Sequence, residues 1–209
     1  MSGLNGKACR LMAVLCDLGG VIALFDEETI RKRLDGVARR SLTDPEVGRA
    51  FVEELFRFER GELSPREFFE RTDRILEFKI PYEEFVRVWE DNFWLNPGAV
   101  DELKRLRGRF RLVLVSNTDP LHWKHIDRRF GVSQLFDDLV LSYEVGAIKP
   151  DRRMYVVALE RAGVKPYEAL YVDDLEENVR TAAEVGMETL LYTPEVSILE
   201  ALQRRGCPV

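Results

Sequence analysis

The sequence predicts an α/β fold: a Rossmann-like parallel sheet between two layers of helices, with a helical cap inserted after the first strand. Three observations carry this. Five short apolar runs rich in Val and Leu, "LMAVLC" (11–16), "RLVLVS" (111–116), "DLVLS" (138–142), "ALYV" (169–172) and "ETLLY" (188–192), lack clean alternation, as strands buried on both faces of a parallel sheet do. Helical patterns at about 98–107, 119–129, 151–162, 175–185 and 194–204 alternate with them, which implies right-handed crossovers in a layered sheet. Residues 26 to about 95 break the alternation, with no convincing strand and repeated helix starts.

Taken in order, each element has a local cause. The first strand ends on Asp17 and is followed by Gly19 and Gly20, a place for a sharp turn and not for a capped polar helix. In the inserted segment "TDPE" (43–46) starts a helix. "SPRE" (64–67) starts another, with Ser64 as N-cap, Pro65 at the first helical position and Glu67 closing a capping box. Pro81 in "IPYEEF" opens a third. Phe51, Leu55 and Phe58, and again Phe85, Val88 and Trp89, recur at helical spacing. The expected division is a core of residues 1–24 and 96–209 and a helical cap of residues 25–95, hinged near 23–26 and 95–98 and lying over the end of the first strand. Trp89, Phe93 and Trp94 would pack the cap's own core or its hinge.

Composition narrows the partners. A net charge of −6 with no offsetting basic run argues against nucleic-acid binding by phosphate neutralisation. No stretch reaches membrane-spanning length. Lys7 and Arg10 before "LMAVLC" echo a secretory leader, but Asp17 cuts the apolar run short and no small-residue cleavage site follows. Cys9, Cys16 and Cys207 are odd in number and lack metal-ligand spacing, so free thiols in a reducing, cytoplasmic compartment are expected, with Cys16 a buried small hydrophobe. A monomer and a homodimer are both open.

In a parallel sheet of this kind the site lies beyond the carboxyl ends of the strands. Asp17 follows the first run; "SNT" (116–118) ends the second; "GAIKPD", with Lys149, follows the third; "DDLEEN" (173–178) follows the fourth. Taken singly, "SNTD" and "DDLEEN" are ordinary helix starts and "KPD" an ordinary turn. Together they bring three carboxylates, a lysine, a hydroxyl and loop amides to one place. Carboxylates so crowded repel unless a cation joins them, and oxygen ligands without His or Cys point to magnesium. The lysine, hydroxyl and amides suit a phosphate. A cation, an anion cradle and one forward carboxylate suit phosphoryl transfer through an aspartyl-phosphate.

The order Asp17-Leu-Gly-Gly-Val, "SNT", Lys149-Pro, then Asp173-Asp174 with Asn178, resembles the haloacid dehalogenase superfamily of hydrolases over nearly the whole chain, and the inserted segment resembles its C1 cap. "FERGELSPREFF", "SNTDPLHW" and "YVDDLEENV" are similar to the branch holding bacterial sugar-1-phosphate phosphatases and the phosphatase domain of bifunctional epoxide hydrolases. The resemblance implies a magnesium-dependent phosphatase acting on a small phosphorylated metabolite. Asp17 would be nucleophile and metal ligand, Ser116 and the Asn117 amide would hold the phosphoryl group, and Lys149 would bridge that group and the nucleophile. Asp174 would ligate magnesium directly, Asp173 directly or through water, and the Gly19 carbonyl would complete the protein ligands. His122, just after "SNTDP", would touch substrate at the cleft mouth; His125, one turn on, has no third ligand nearby and reads as surface or cap-facing.

One departure stands out. Most phosphatases of the superfamily carry a second aspartate two residues after the nucleophile as general acid and base; here that position is Gly19. Three readings follow: a phosphatase whose proton moves by another route, with His122 the first suspect; a non-catalytic relative that binds a phosphorylated ligand or a protein; and a metal-independent haloacid dehalogenase, against which the Asp173–Asp174 pair argues.

Overall fold

The computed structural model describes residues 9–209; Lys7 therefore lies outside the described residues. The central sheet holds β1 (Ala13–Cys16), β4 (Arg111–Ser116), β5 (Asp138–Leu141), β6 (Ala169–Asp173) and β7 (Glu188–Leu191) in the order β5-β4-β1-β6-β7. Every neighbouring pair is parallel, and Cys16 at the end of β1 sits between Leu114 of β4 and Val172 of β6. Along β1 the period of two sorts residues onto both faces. Val14 and Cys16 join one apolar cluster with α5 (Pro97–Leu106), α6 (Pro120–Phe130) and α10 (Ile198–Arg204), while Ala13 and Leu15 join another with α8 (Arg152–Ala162) and α9 (Glu176–Val185). This is the expected three-layer α/β/α arrangement.

The segment after β1 folds into α1 (Glu27–Val37), α2 (Pro45–Glu59), α3 (Pro65–Leu76) and α4 (Tyr82–Glu90). These helices share an apolar cluster of their own, with Phe58, Phe68 and Phe85 fully buried and Phe58 stacked on Phe68 at 4.4 Å between centroids. Burying each such ring is worth roughly 1.5–3 kcal/mol. The starts of α2, α3 and α4 are those read from the sequence, whereas that of α1, capped by Asp26, was not: the Asp44 side chain caps α2, and Ser64 and Glu67 form a reciprocal capping box at the head of α3.

Two short strands were not anticipated. β2 (Ala23–Phe25) and β3 (Phe93–Leu95) form an antiparallel ribbon where the chain leaves and re-enters the sheet domain. Three residues are too few to show a period, so these strands leave no signal in the sequence. Trp89 is buried among the inserted helices, Phe93 packs against the main cluster, and Trp94 on the ribbon is 48% exposed.

The cysteine expectation is corrected. Cys9 and Cys207 form a disulfide, and only Cys16 is free and buried. The partners are separated by 198 positions, and it is the fold that brings the approach to β1 beside the segment after α10. Cysteine usage thus no longer supports a reducing compartment. No helix among the described residues is long and apolar enough to cross a membrane.

Candidate active site

The site is built at the carboxyl edge of β1, β4 and β6, on both sides of the strand where the chain order changes direction. Asp17 follows β1 directly and its N–H donates to Val172 O at 2.9 Å, so the neighbouring strand holds it in place. Asp173 is the last residue of β6. Between them lies the Nζ of Lys149, 2.7 Å from Asp17 Oδ1 and 2.8 Å from Asp173 Oδ2, with the lysine side chain 1% exposed. Burial works against the lysine's charge, but the two carboxylates outweigh it and raise its pKa. The Asp17 carboxyl is pushed up to about 7, by burial first and then by Asp173 and Asp174, with Lys149 opposing.

Asn117 fixes the Lys149 loop. Its Nδ2 donates to Lys149 O (3.0 Å) and its Oδ1 accepts from Lys149 N (2.7 Å). Ser142, which opens α7 (Ser142–Val145), holds the "SNT" loop from the other side: its Oγ donates to Thr118 O and accepts from Thr118 N, both at 2.9 Å. Ser116, buried at the end of β4, lines the cleft with Asn117 and Thr118.

Asp173 and Asp174 differ in kind. Asp173 is saturated: Oδ2 accepts from Lys149 Nζ and Tyr171 Oη, and Oδ1 accepts from Asn178 Nδ2 and Leu175 N. Burial opposes its charge, yet Lys149 lowers its pKa. Asp174 takes no such partners and is raised, by burial and then by Asp173. Oxygens of Asp17, Asp173 and Asp174 lie within 4.8 Å of one another. Gly20 makes room for this: its φ is +68°, and a Cβ there would lie 2.0 Å from Asp174 Oδ2. Three carboxylates crowded this closely fit a small hard divalent cation. Gly19 has another neighbour. A Cβ at that position would stand 3.2 Å from the Phe25 ring, so the β2–β3 ribbon presses on the place where a second aspartate would project.

Above this edge lies a cavity of about 760 Å³ between the sheet domain and the inserted helices. Leu18, Gly19, Ser116 and Asn117 form its floor; Phe51, Leu55, Trp89 and Phe93 are among its walls. His122 faces it but is fully engaged: Nδ1 is 2.8 Å from Asp119 Oδ2 and Nε2 is 2.9 Å from Trp89 O. Burial disfavours its charge, but Asp119 raises its pKa, and two acceptors at two ring nitrogens define an imidazolium. His125 turns toward the inserted helices, its Nδ1 3.5 Å from Glu90. The structure therefore brings Asp17, Ser116, Asn117, Lys149, Asp173 and Asp174 to one edge, with His122 in the cavity wall stacked on Trp89. Sequence reading missed Glu59, the last residue of α2, which also lines the cavity.

The fold and this edge define a class of enzyme, the hydrolases built on a Rossmann-like sheet with a forward aspartate. Comparison with known proteins supplies the family. Residues 11–186 match the haloacid dehalogenase-like hydrolases, and the chain belongs to that family. It is 27% identical over 192 residues to the D-ribitol-5-phosphate phosphatase of Bacteroides thetaiotaomicron, spanning 87% of this chain and 91% of that one. It is 35% identical over 97 residues to the glyceraldehyde 3-phosphate phosphatase of Methanopyrus kandleri, spanning 45% of this chain and 41% of that one. Among solved structures, a HAD family enzyme of Bacteroides thetaiotaomicron superposes with a TM-score of 0.83 over 92% of this chain and 98% of its own at 24% identity. That enzyme has also been solved in complex with magnesium and inorganic phosphate.

Proposed function

We propose that the protein is a magnesium-dependent phosphatase that hydrolyses a small phosphorylated metabolite through an aspartyl-phosphate on Asp17. The observation that carries the reading is the buried Lys149 held between Asp17 and Asp173, with the Asp174 carboxylate let in beside them by Gly20. A sugar or polyol phosphate is the substrate class suggested by the relative named for D-ribitol 5-phosphate. A cytoplasmic site of action, as monomer or homodimer, belongs to the same reading; the Cys9–Cys207 disulfide is the feature that stands against it.

In this mechanism Asp17, the Gly19 carbonyl, Asp174 and Asp173 would hold the cation. Asp174 would be the direct carboxylate ligand beside Asp17, and Asp173, whose oxygens already accept four hydrogen bonds, would act through water. When bound, the cation would screen the phosphate's negative charge from the carboxylates. Lys149 orients the Asp17 carboxylate and offsets charge on the transferring group. Ser116 Oγ and the Asn117 N–H hold the phosphoryl oxygens. Asp17 attacks phosphorus, the bond to the leaving oxygen breaks, and water then releases phosphate from Asp17. Residues 25–95 act as the cap that closes the cleft against bulk water, with β2 and β3 as its hinge. Three adjacent carboxylates would be an electrostatic cost to a metal-independent dehalogenase, so that reading is not favoured.

The test is phosphate release from 4-nitrophenyl phosphate and a metabolite panel, with magnesium and with excess chelator. Turnover is expected only with the cation. Magnesium should also raise the melting temperature of wild type and not of Asp174→Ala, a readout independent of activity. Undiminished turnover in chelator would contradict the reading.

A further inference from the structure

With Gly19 in place of an aspartate, the proton for the leaving group has no source on β1 or its turn. We propose that Glu59, carried into the cleft by the cap, is the general acid for the leaving group and the general base for the hydrolytic water. The inference rests on the phosphatase reading above.

The geometry selects Glu59 in three ways. First, it lines the same cavity as Gly19, Ser116 and Asn117, whereas the side of the site nearest Gly19 is taken by the Phe25 ring. Second, the cap is built to place it. Phe58, one residue earlier, is fully buried against Phe68, and Gly61, two residues later, has φ +71° with its Cα so close to the sheet domain that a Cβ would lie 2.1 Å from Tyr143 O. Glu59 stands between an anchor in the cap core and a contact with α7, which accounts for "FERG" in the sequence. Third, its carboxyl is uncommitted. Arg57 and Arg60 both turn to Glu62, at 3.1 and 2.7 Å, and among the described residues Glu59 gains no hydrogen bond. His122, the other candidate, has both nitrogens engaged.

The charged groups facing Glu59 are Asp119, the N-cap of α6, His122 on α6, Lys149 beyond α7 and Arg60, the residue after α2. Burial first and Asp119 second raise its pKa to about 7, against His122, Lys149 and Arg60. It is thus protonated when a leaving oxygen needs a proton and ionised afterwards, near neutral pH. The balance is complete. As Asp17 bonds to phosphorus and the ester P–O bond breaks, the Glu59 proton passes to the leaving oxygen, giving an alcohol. Water then bonds to phosphorus, Glu59 takes its proton, and the Asp17–phosphorus bond breaks to return both carboxyl groups to their starting states.

The test is kcat/KM over phosphate esters of rising leaving-group basicity, from 4-nitrophenyl through phenyl to ethyl phosphate, in wild type and Glu59→Gln with magnesium. Wild type should show a shallow dependence and Glu59→Gln a steep one, the loss on ethyl phosphate exceeding that on 4-nitrophenyl phosphate by about 100-fold. In wild type, kcat/KM for ethyl phosphate should fall above about pH 7 as Glu59 ionises, and this limb should vanish in Glu59→Gln. Equal loss on all esters, or none, or a retained alkaline limb, would overturn the role of Glu59 while leaving the phosphatase reading intact. Failure of wild type to release phosphate from any ester would overturn both.

Discussion

The Lys149 ammonium lies 2.7 Å from an Asp17 carboxylate oxygen, with the two side chains 1% and 9% exposed. The same nitrogen contacts Asp173 at 2.8 Å, so one buried cation serves two buried anions. Removing one partner of such a set strands the others in a poor dielectric. Lys149→Met should lower stability by about 3–5 kcal/mol in urea titrations with chelator present, besides abolishing turnover. A loss under about 1 kcal/mol would show that the pair is not load-sharing in the fold.

Gly61 is where the end of α2 meets α7. Alanine there combines a positive φ with a Cβ driven against a backbone oxygen that cannot yield as a side chain could. Gly61→Ala should cost about 1–3 kcal/mol and displace Glu59 from the cleft. Its leaving-group dependence should therefore steepen as in Glu59→Gln, although its chemistry at residue 59 is unchanged. Wild-type dependence in a destabilised Gly61→Ala would separate the contact from the positioning of Glu59.

The part of the site that lies on strand ends was open to sequence reading, because a polar residue ending an apolar run is visible without the fold. Asp17, Ser116 and Asp173 are of this kind, and Lys149 was found in the loop that follows the third run. Glu59 is of another kind. It sits among Arg57, Arg60 and Glu62 in a stretch that reads as a solvated helix end, and only the packing of α2 against the sheet domain turns it inward. The distinction between Asp173 and Asp174 was equally hidden, since it rests on which lone pairs Lys149, Tyr171 and Asn178 consume. In the inserted segment, capping chemistry marked the starts of α2 and α3, whereas the three-residue ribbon carried too little pattern to be seen.

The Cys9–Cys207 bridge ties the two ends of the described chain across 198 positions. Thiol titration of unreduced, denatured protein should find one reactive thiol, that of Cys16, among the three cysteines. Cys207→Ser should lower stability by about 2–4 kcal/mol, chiefly by freeing the unfolded chain. Three titratable thiols in protein kept under air would contradict the bridge.

In the proposed mechanism an Asp17 carboxylate oxygen receives the phosphoryl group. The most direct measurement is acid-quenched rapid mixing of enzyme, magnesium and 4-nitrophenyl phosphate, followed by mass mapping of the peptide that contains Asp17. A phosphoryl adduct on Asp17 within the first turnover, absent in Asp17→Asn, is the predicted result. Steady turnover by wild type with no adduct at any quench time, together with appreciable turnover by Asp17→Asn, would contradict it.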